Sequence, residues 1–238
     1  MSIMKKFIAL LLVFVFVLSF SACDSKTADE NETSPAGAVE DEGNETASAD
    51  GSSEKASVPE VSEEDMPVAA IELEDGRIIR FVMRPDVAPN TVANFISLAS
   101  SGYYDGVIFH RVIPRFMVQT GDPDGSGFGG PGYVIKGEFS DNGVDNNISH
   151  VTGTVSMARK SYSPDTAGSQ FFICVEDSDF LDGQYAAFGT VIEGIDVAVD
   201  ISEVKRDSND KPLEDIVIKS VTVDTHGIDY GEPVTMSE

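Results

Sequence analysis

The stretch Phe109-His110-Arg111-Val112-Ile113-Pro114-Arg115-Phe116-Met117-Val118-Gln119-Thr120-Gly121-Asp122 joins two short β-prone runs, residues 107–111 and 117–120, and sets arginine among apolar side chains. Two more blocks of mixed character follow. Ser156-Met157-Ala158-Arg159 leads to Gly168-Ser169-Gln170-Phe171-Phe172-Ile173, and Phe180-Leu181-Asp182-Gly183 leads to Tyr185-Ala186-Ala187-Phe188-Gly189. Neighbouring side chains of a strand point to opposite faces. Phe171 is therefore expected in the core with Phe188, while Phe172 lines an outer pocket.

Working outward, residues 68–73 and 78–83 flank Asp75-Gly76, an acidic-Gly pair between β-prone runs that reads as a hairpin. Pro89 then sits where a first helical residue is tolerated. Val92, Phe95, Ile96 and Ala99 follow at helical spacing, and Gly102 comes after the end. Further β-prone runs cover residues 133–136, 154–158, 170–175 and 187–192, with a second short helix over 194–201. In the run 216–224 the buried pattern changes face near Ser220, which reads as a bulge. Many short strands with a helix near each end suggest an antiparallel barrel with helical plugs.

The first block matches every fixed position of the signature FHRxxPxFMxQxGD, and all three blocks stand in the order found in cyclophilins. Residues 67–225 thus resemble a cyclophilin, a peptidyl-prolyl cis/trans isomerase. The resemblance implies a mainly β fold, a closed, eight-stranded antiparallel barrel capped by two helices. It also implies a catalytic Arg111, with substrate contacts from Phe116, Met117, Gln119, Ala158, Phe172, Phe180, Leu181 and Tyr185. Phe180 stands where many eukaryotic relatives carry Trp, and Tyr185 where they carry His; both replacements are familiar in bacterial members. Loss of the indole N–H weakens the expectation of tight cyclosporin binding.

These residue types suit the reaction. Amide resonance gives the X-Pro bond a rotation barrier of about 18–20 kcal/mol, and no covalent bond has to break. Catalysis needs only an environment that favours the twisted amide over both planar states. Arg111 offers a permanent, forked donor able to hold the proline carbonyl and approach the amide nitrogen. Phe116, Met117, Phe172 and Leu181 would surround the proline ring, and low polarity there strengthens the Arg111 contact. Gln119 would orient the substrate backbone or Arg111, and Ala158 would act through its backbone.

The remaining sequence frames this domain. Lys5 and Lys6, the apolar or small run 7–22 and Cys23 follow the plan of a secretory signal, and Leu18-Ser19-Phe20-Ser21-Ala22-Cys23 looks like a bacterial lipobox. The expected boundaries are a signal peptide over 1–22, lipidated Cys23, an acidic disordered tether over 23–66 and a flexible tail over 226–238. Residues 24–66 hold no aromatic side chain and are rich in Asp and Glu, a composition that cannot offset chain entropy by burial. Such a coil would span roughly 35 to 40 Å. Net charge is −25, which argues against a nucleic-acid partner.

His110, His150 and His226 lack metal-ligand spacing, and residues 125–132 lack the Lys-Ser/Thr ending of a phosphate loop. The expectation is no metal, no cofactor, a mobile glycine loop beside the groove and a packed, unreactive Cys174. The protein is read as a monomer that acts on proline-containing polypeptides outside the cytoplasmic membrane, held there by lipid on Cys23. The rival from another class is a non-catalytic module that binds Pro-containing segments at the cell surface.

Overall fold

The computed structural model describes residues 63–238. The signal peptide, Cys23 and nearly all of the acidic tether lie outside the described residues. Strand β1 (Val68–Leu73) turns at Asp75-Gly76 into β2 (Ile78–Met83), and Gly76 has φ 85°, the left-handed angle that glycine supplies without strain. Asp75 steadies the turn by accepting from the Arg77 N–H at 3.0 Å. Helix α1 (Pro89–Ser100) follows, with proline in its first turn, where a missing N–H costs nothing. Its free N–H groups are met from far along the chain. Glu138 accepts from the N–H of Asn90 (3.1 Å), and from the N–H and hydroxyl of Thr91 (both 2.7 Å).

The chain continues through β3 (Arg111–Ile113), β4 (Met117–Thr120), β5 (Thr154–Met157), β6 (Phe171–Cys174), β7 (Ala187–Glu193), α2 (Ile195–Ser202) and β8 (Ile218–Asp224). These strands form one eight-stranded antiparallel sheet in the order β3-β4-β6-β5-β7-β2-β1-β8. The bulge expected near Ser220 is present: Glu72 faces Ser220 and Leu73 faces Ile218, leaving Lys219 as the extra residue.

The sheet is open and curled, which corrects the expectation of a closed barrel. Its end strands β3 and β8 share no ladder among the described residues. They approach through residues 106–109 ahead of β3 and 216–218 at the start of β8, by the bridge Ile108–Val217, the bond Phe109 N–H to Ile216 (3.0 Å), and bonds of 2.8 Å from the Ile218 N–H to Val107 and from the Gly106 N–H to Ile218. The β-prone run 107–111 goes into this seam, so β3 itself begins only at Arg111. Residues 133–136, also read as a strand, make only isolated bridges, Val134 to Met236 and Ile135 to Ala167.

Phe95 of α1 fills the interior. Its ring lies 5.4 Å from Phe81, 5.2 Å from Tyr104, 5.4 Å from Phe171 and 5.5 Å from Phe188, and all five side chains are fully buried. Aromatic rings are large enough to bridge the two sides of the curl from one helix position. Both helices contribute to this inner core, through Val92 and Leu98 of α1 and Ala198 and Ile201 of α2. The segment 226–238, expected to be loose, is tied down. Val134 and Met236 exchange backbone bonds of 3.0 and 2.8 Å.

Candidate active site

The pleat of the sheet separates two apolar clusters. Val112, Val118, Phe171 and Ile173 point inward to the core, whereas Met117, Phe172 and Cys174 point outward and join Leu181 in a second cluster. Phe171 and Phe172 part as expected. Strand register then aligns the outer face. Arg111 stands opposite Gln119, Gln119 opposite Phe172, and Phe172 opposite Ser156, giving one row across β3, β4, β6 and β5. A second row runs Ile113, Met117, Cys174.

Over these rows lies an open pocket lined by Arg111, Phe116, Met117, Gln119, Ala158, Arg159, Phe172, Leu181 and Tyr185. Eight of the nine residues expected from the sequence are thus brought together. Phe180 is not among the lining residues; it is 62% exposed, with its ring tilted against Phe116 at 5.5 Å. Arg159 was missed. Its guanidinium sits 4.8 Å from the Tyr185 ring centre and donates to the Gln184 carbonyl at 2.9 Å. The only signal for it was its place next to Ala158.

Polar contacts hold the guanidinium of Arg111 at the pocket wall. Arg111 donates to the Gln119 side-chain oxygen (3.3 Å), and the Gln119 amide donates to that of Gln170 (2.9 Å). Gln170 in turn donates to the carbonyls of Gly127 (3.1 Å) and Gly129 (2.9 Å). A chain of hydrogen bonds therefore runs from Arg111 to the glycine loop 125–132. The loop was expected to be mobile, but Asp122 pins it, accepting from the N–H of Asp124 (2.8 Å) and of Ser126 (2.9 Å) and from Gly127. Burial, the largest single influence, pushes the Asp122 carboxyl up, but the N–H groups of Asp124, Gly127 and Gly129, with nearby His110, together bring it below its ordinary value.

His150 supports the pocket from below. Its ring stacks on Phe172 at 6.1 Å, while Nδ1 meets Asp182 (2.8 Å) and Nε2 meets the Ser156 hydroxyl (3.0 Å). Burial lowers the His150 pKa, with Asp182 acting against it. The sequence carried no signal of this role, because Asp182 arrives from a distant turn. Cys174 is fully buried at the back of the outer cluster, where burial pushes its thiol up to about 12 and so disfavours the thiolate. Among the described residues no group of His, Cys, Asp and Glu is arranged to hold a metal.

Comparison with known proteins agrees with this geometry. Residues 68–223 match the family model for cyclophilin type peptidyl-prolyl cis-trans isomerase/CLD. The chain is 48% identical over 130 residues to peptidyl-prolyl cis-trans isomerase B of Bacillus subtilis, covering 55% of this chain and 87% of that protein. It is 50% identical over 124 residues to a peptidyl-prolyl cis-trans isomerase of Synechococcus elongatus, covering 52% and 79%. A Cryptosporidium parvum cyclophilin type peptidyl-prolyl cis-trans isomerase, crystallised in the presence of the dipeptide Ala-Pro, superposes with a TM-score of 0.60 at 32% identity, covering 66% of this chain and 98% of that one. The chain belongs to the cyclophilin-type peptidyl-prolyl cis-trans isomerase family, and the reaction it serves is rotation about X-Pro peptide bonds.

Proposed function

We propose that this isomerase works through Arg111, with Phe116, Met117, Phe172, Leu181 and Tyr185 receiving the proline ring and Phe180 shielding the rim. The observation that carries this reading is the register row that sets Arg111 and Gln119 beside Phe172, so that a permanent donor stands in the same row as an apolar pocket wall. A guanidinium held there meets the amide nitrogen best when resonance is lost, and that difference between the twisted and planar states lowers the barrier. Gln119 fixes the fork of Arg111, and the Ala158 carbonyl receives a peptide N–H.

The test is a coupled proline-isomerisation assay on the purified protein alongside peptide binding by calorimetry. Arg111→Ala is expected to lower kcat/KM about a hundredfold while proline-peptide affinity changes only a few-fold. Equal turnover in both proteins would sink the role of Arg111. A biological role that survives Arg111→Ala would instead favour a binding module at the cell surface.

The setting of this activity is the second part of the proposal. Lipid on Cys23 and the acidic stretch behind it would hold the domain outside the cytoplasmic membrane, where exported chains fold. Spontaneous isomerisation takes tens to hundreds of seconds there, slow enough to limit folding. Labelled palmitate should enter the wild-type protein and not Cys23→Ser, and only the former should stay in a salt-washed membrane fraction.

A further inference from the structure

Beside the proline pocket lies a second pocket, sharing with it Gln119, Ala158 and Arg159 and walled by the glycine loop and Lys160. The residues lining the two pockets include the cations Arg111, Arg159 and Lys160 and a single acid, Glu238. That acid arrives on the 226–238 segment, beyond the stretch 68–223 that matches the family. The segment is docked at two points. Asn90 donates to the Val234 carbonyl (3.0 Å) and accepts from its N–H (2.7 Å), and Met236 pairs with Val134. Two residues on, the Glu238 carboxylate stands 3.6 Å from the Lys160 ammonium and 3.9 Å from where a Cβ on Gly130 would lie.

We propose that the 226–238 segment is a specificity element of the groove. Glu238 offsets the charge of Lys160 and so turns the second pocket away from acidic side chains near the proline and toward neutral or basic ones. An extended peptide with its proline in the first pocket reaches the second within two or three residues, about 7 to 10 Å. This inference rests on the reading of the proline pocket given above. Both partners are nearly half exposed, so the effect is that of a surface pair.

The experiment uses proline peptides carrying Glu or Lys in turn at each of three positions on either side of the proline, with an all-alanine reference. The readout is the ratio of kcat/KM for the Glu peptide to that for the Lys peptide. Glu238→Gln removes the charge alone; Met236→Pro removes the N–H that holds the segment to Val134. At low ionic strength both variants should raise the ratio about two- to fivefold at one position, and 1 M salt should abolish the difference. A ratio that both variants leave unchanged at every position, while the reference is turned over normally, overturns the specificity role alone. A wild-type protein that does not turn over the reference overturns this inference together with the catalytic reading.

Discussion

Gln170 does not itself line the proline pocket, yet its side chain joins Gln119 to the carbonyls of Gly127 and Gly129. Replacing it with Leu removes both ends of that link, leaving the Gln119 amide free to turn and Arg111 free to leave its orientation. Kcat/KM should fall about tenfold, since small misplacements of a reacting group are costly, while the unfolding midpoint moves little. A steady-state assay beside a urea titration checks this, and an unchanged kcat/KM would show that Arg111 needs no such support. At this scale the sequence was informative wherever function rests on adjacency along the chain. Arg111, Phe116, Met117 and Gln119 were legible because they fall on fixed positions of one signature, and the β3–β4 hairpin carries them all. Arg159 and His150 were not, because their partners, the Gln184 carbonyl and the Asp182 carboxylate, come from separate turns and only the fold brings them near.

Helix α1 shows the same contrast one level up. Its apolar spacing and starting proline were readable, as were the hairpin at Gly76, the second helix and the bulge at Lys219. The cap supplied by Glu138 was not, since it lies far from Asn90 and Thr91 in the chain. It replaces the side-chain cap that Ala88 cannot give. Glu138→Ala should lower stability by about 2 kcal/mol, the upper range for loss of a helix cap, and Glu138→Gln should recover part of it. Urea unfolding measures both; a change below about 0.5 kcal/mol would mean that water satisfies the helix end as well. The misjudged strands share one cause. Residues 107–109 and 134–135 are β-prone, but they find only isolated bridges, one for the first run and two for the second, and propensity reports the fit to a pleated surface without naming the partner.

For the molecule as a whole, two buried histidines set a pH response. Burial is the largest influence on both His110 and His150, and each is lowered from 6.5; Asp122 opposes the shift in His110 and Asp182 that in His150. The unfolded chain therefore binds more protons than the fold once the pH drops through about 6.5, so stability is lost from there down to the folded values. Above that window the cost is absent. The urea midpoint should fall between pH 7.5 and pH 5.5, and His110→Asn should flatten the slope; a flat wild-type profile would contradict the linkage. The overall architecture was legible as an antiparallel β fold with two helices, but not as an open curl, because whether end strands meet depends on the seam at Ile108 and Val217 rather than on any local pattern. The pleat that sends Val118 inward and Met117 outward has a further consequence. Substitutions on the two faces share few partners, so their effects should approach additivity, and the outer face can drift toward new peptides without eroding the reserve of stability held by the inner one. Selection can therefore act on what the groove prefers and on how well the domain endures heat as two nearly independent traits.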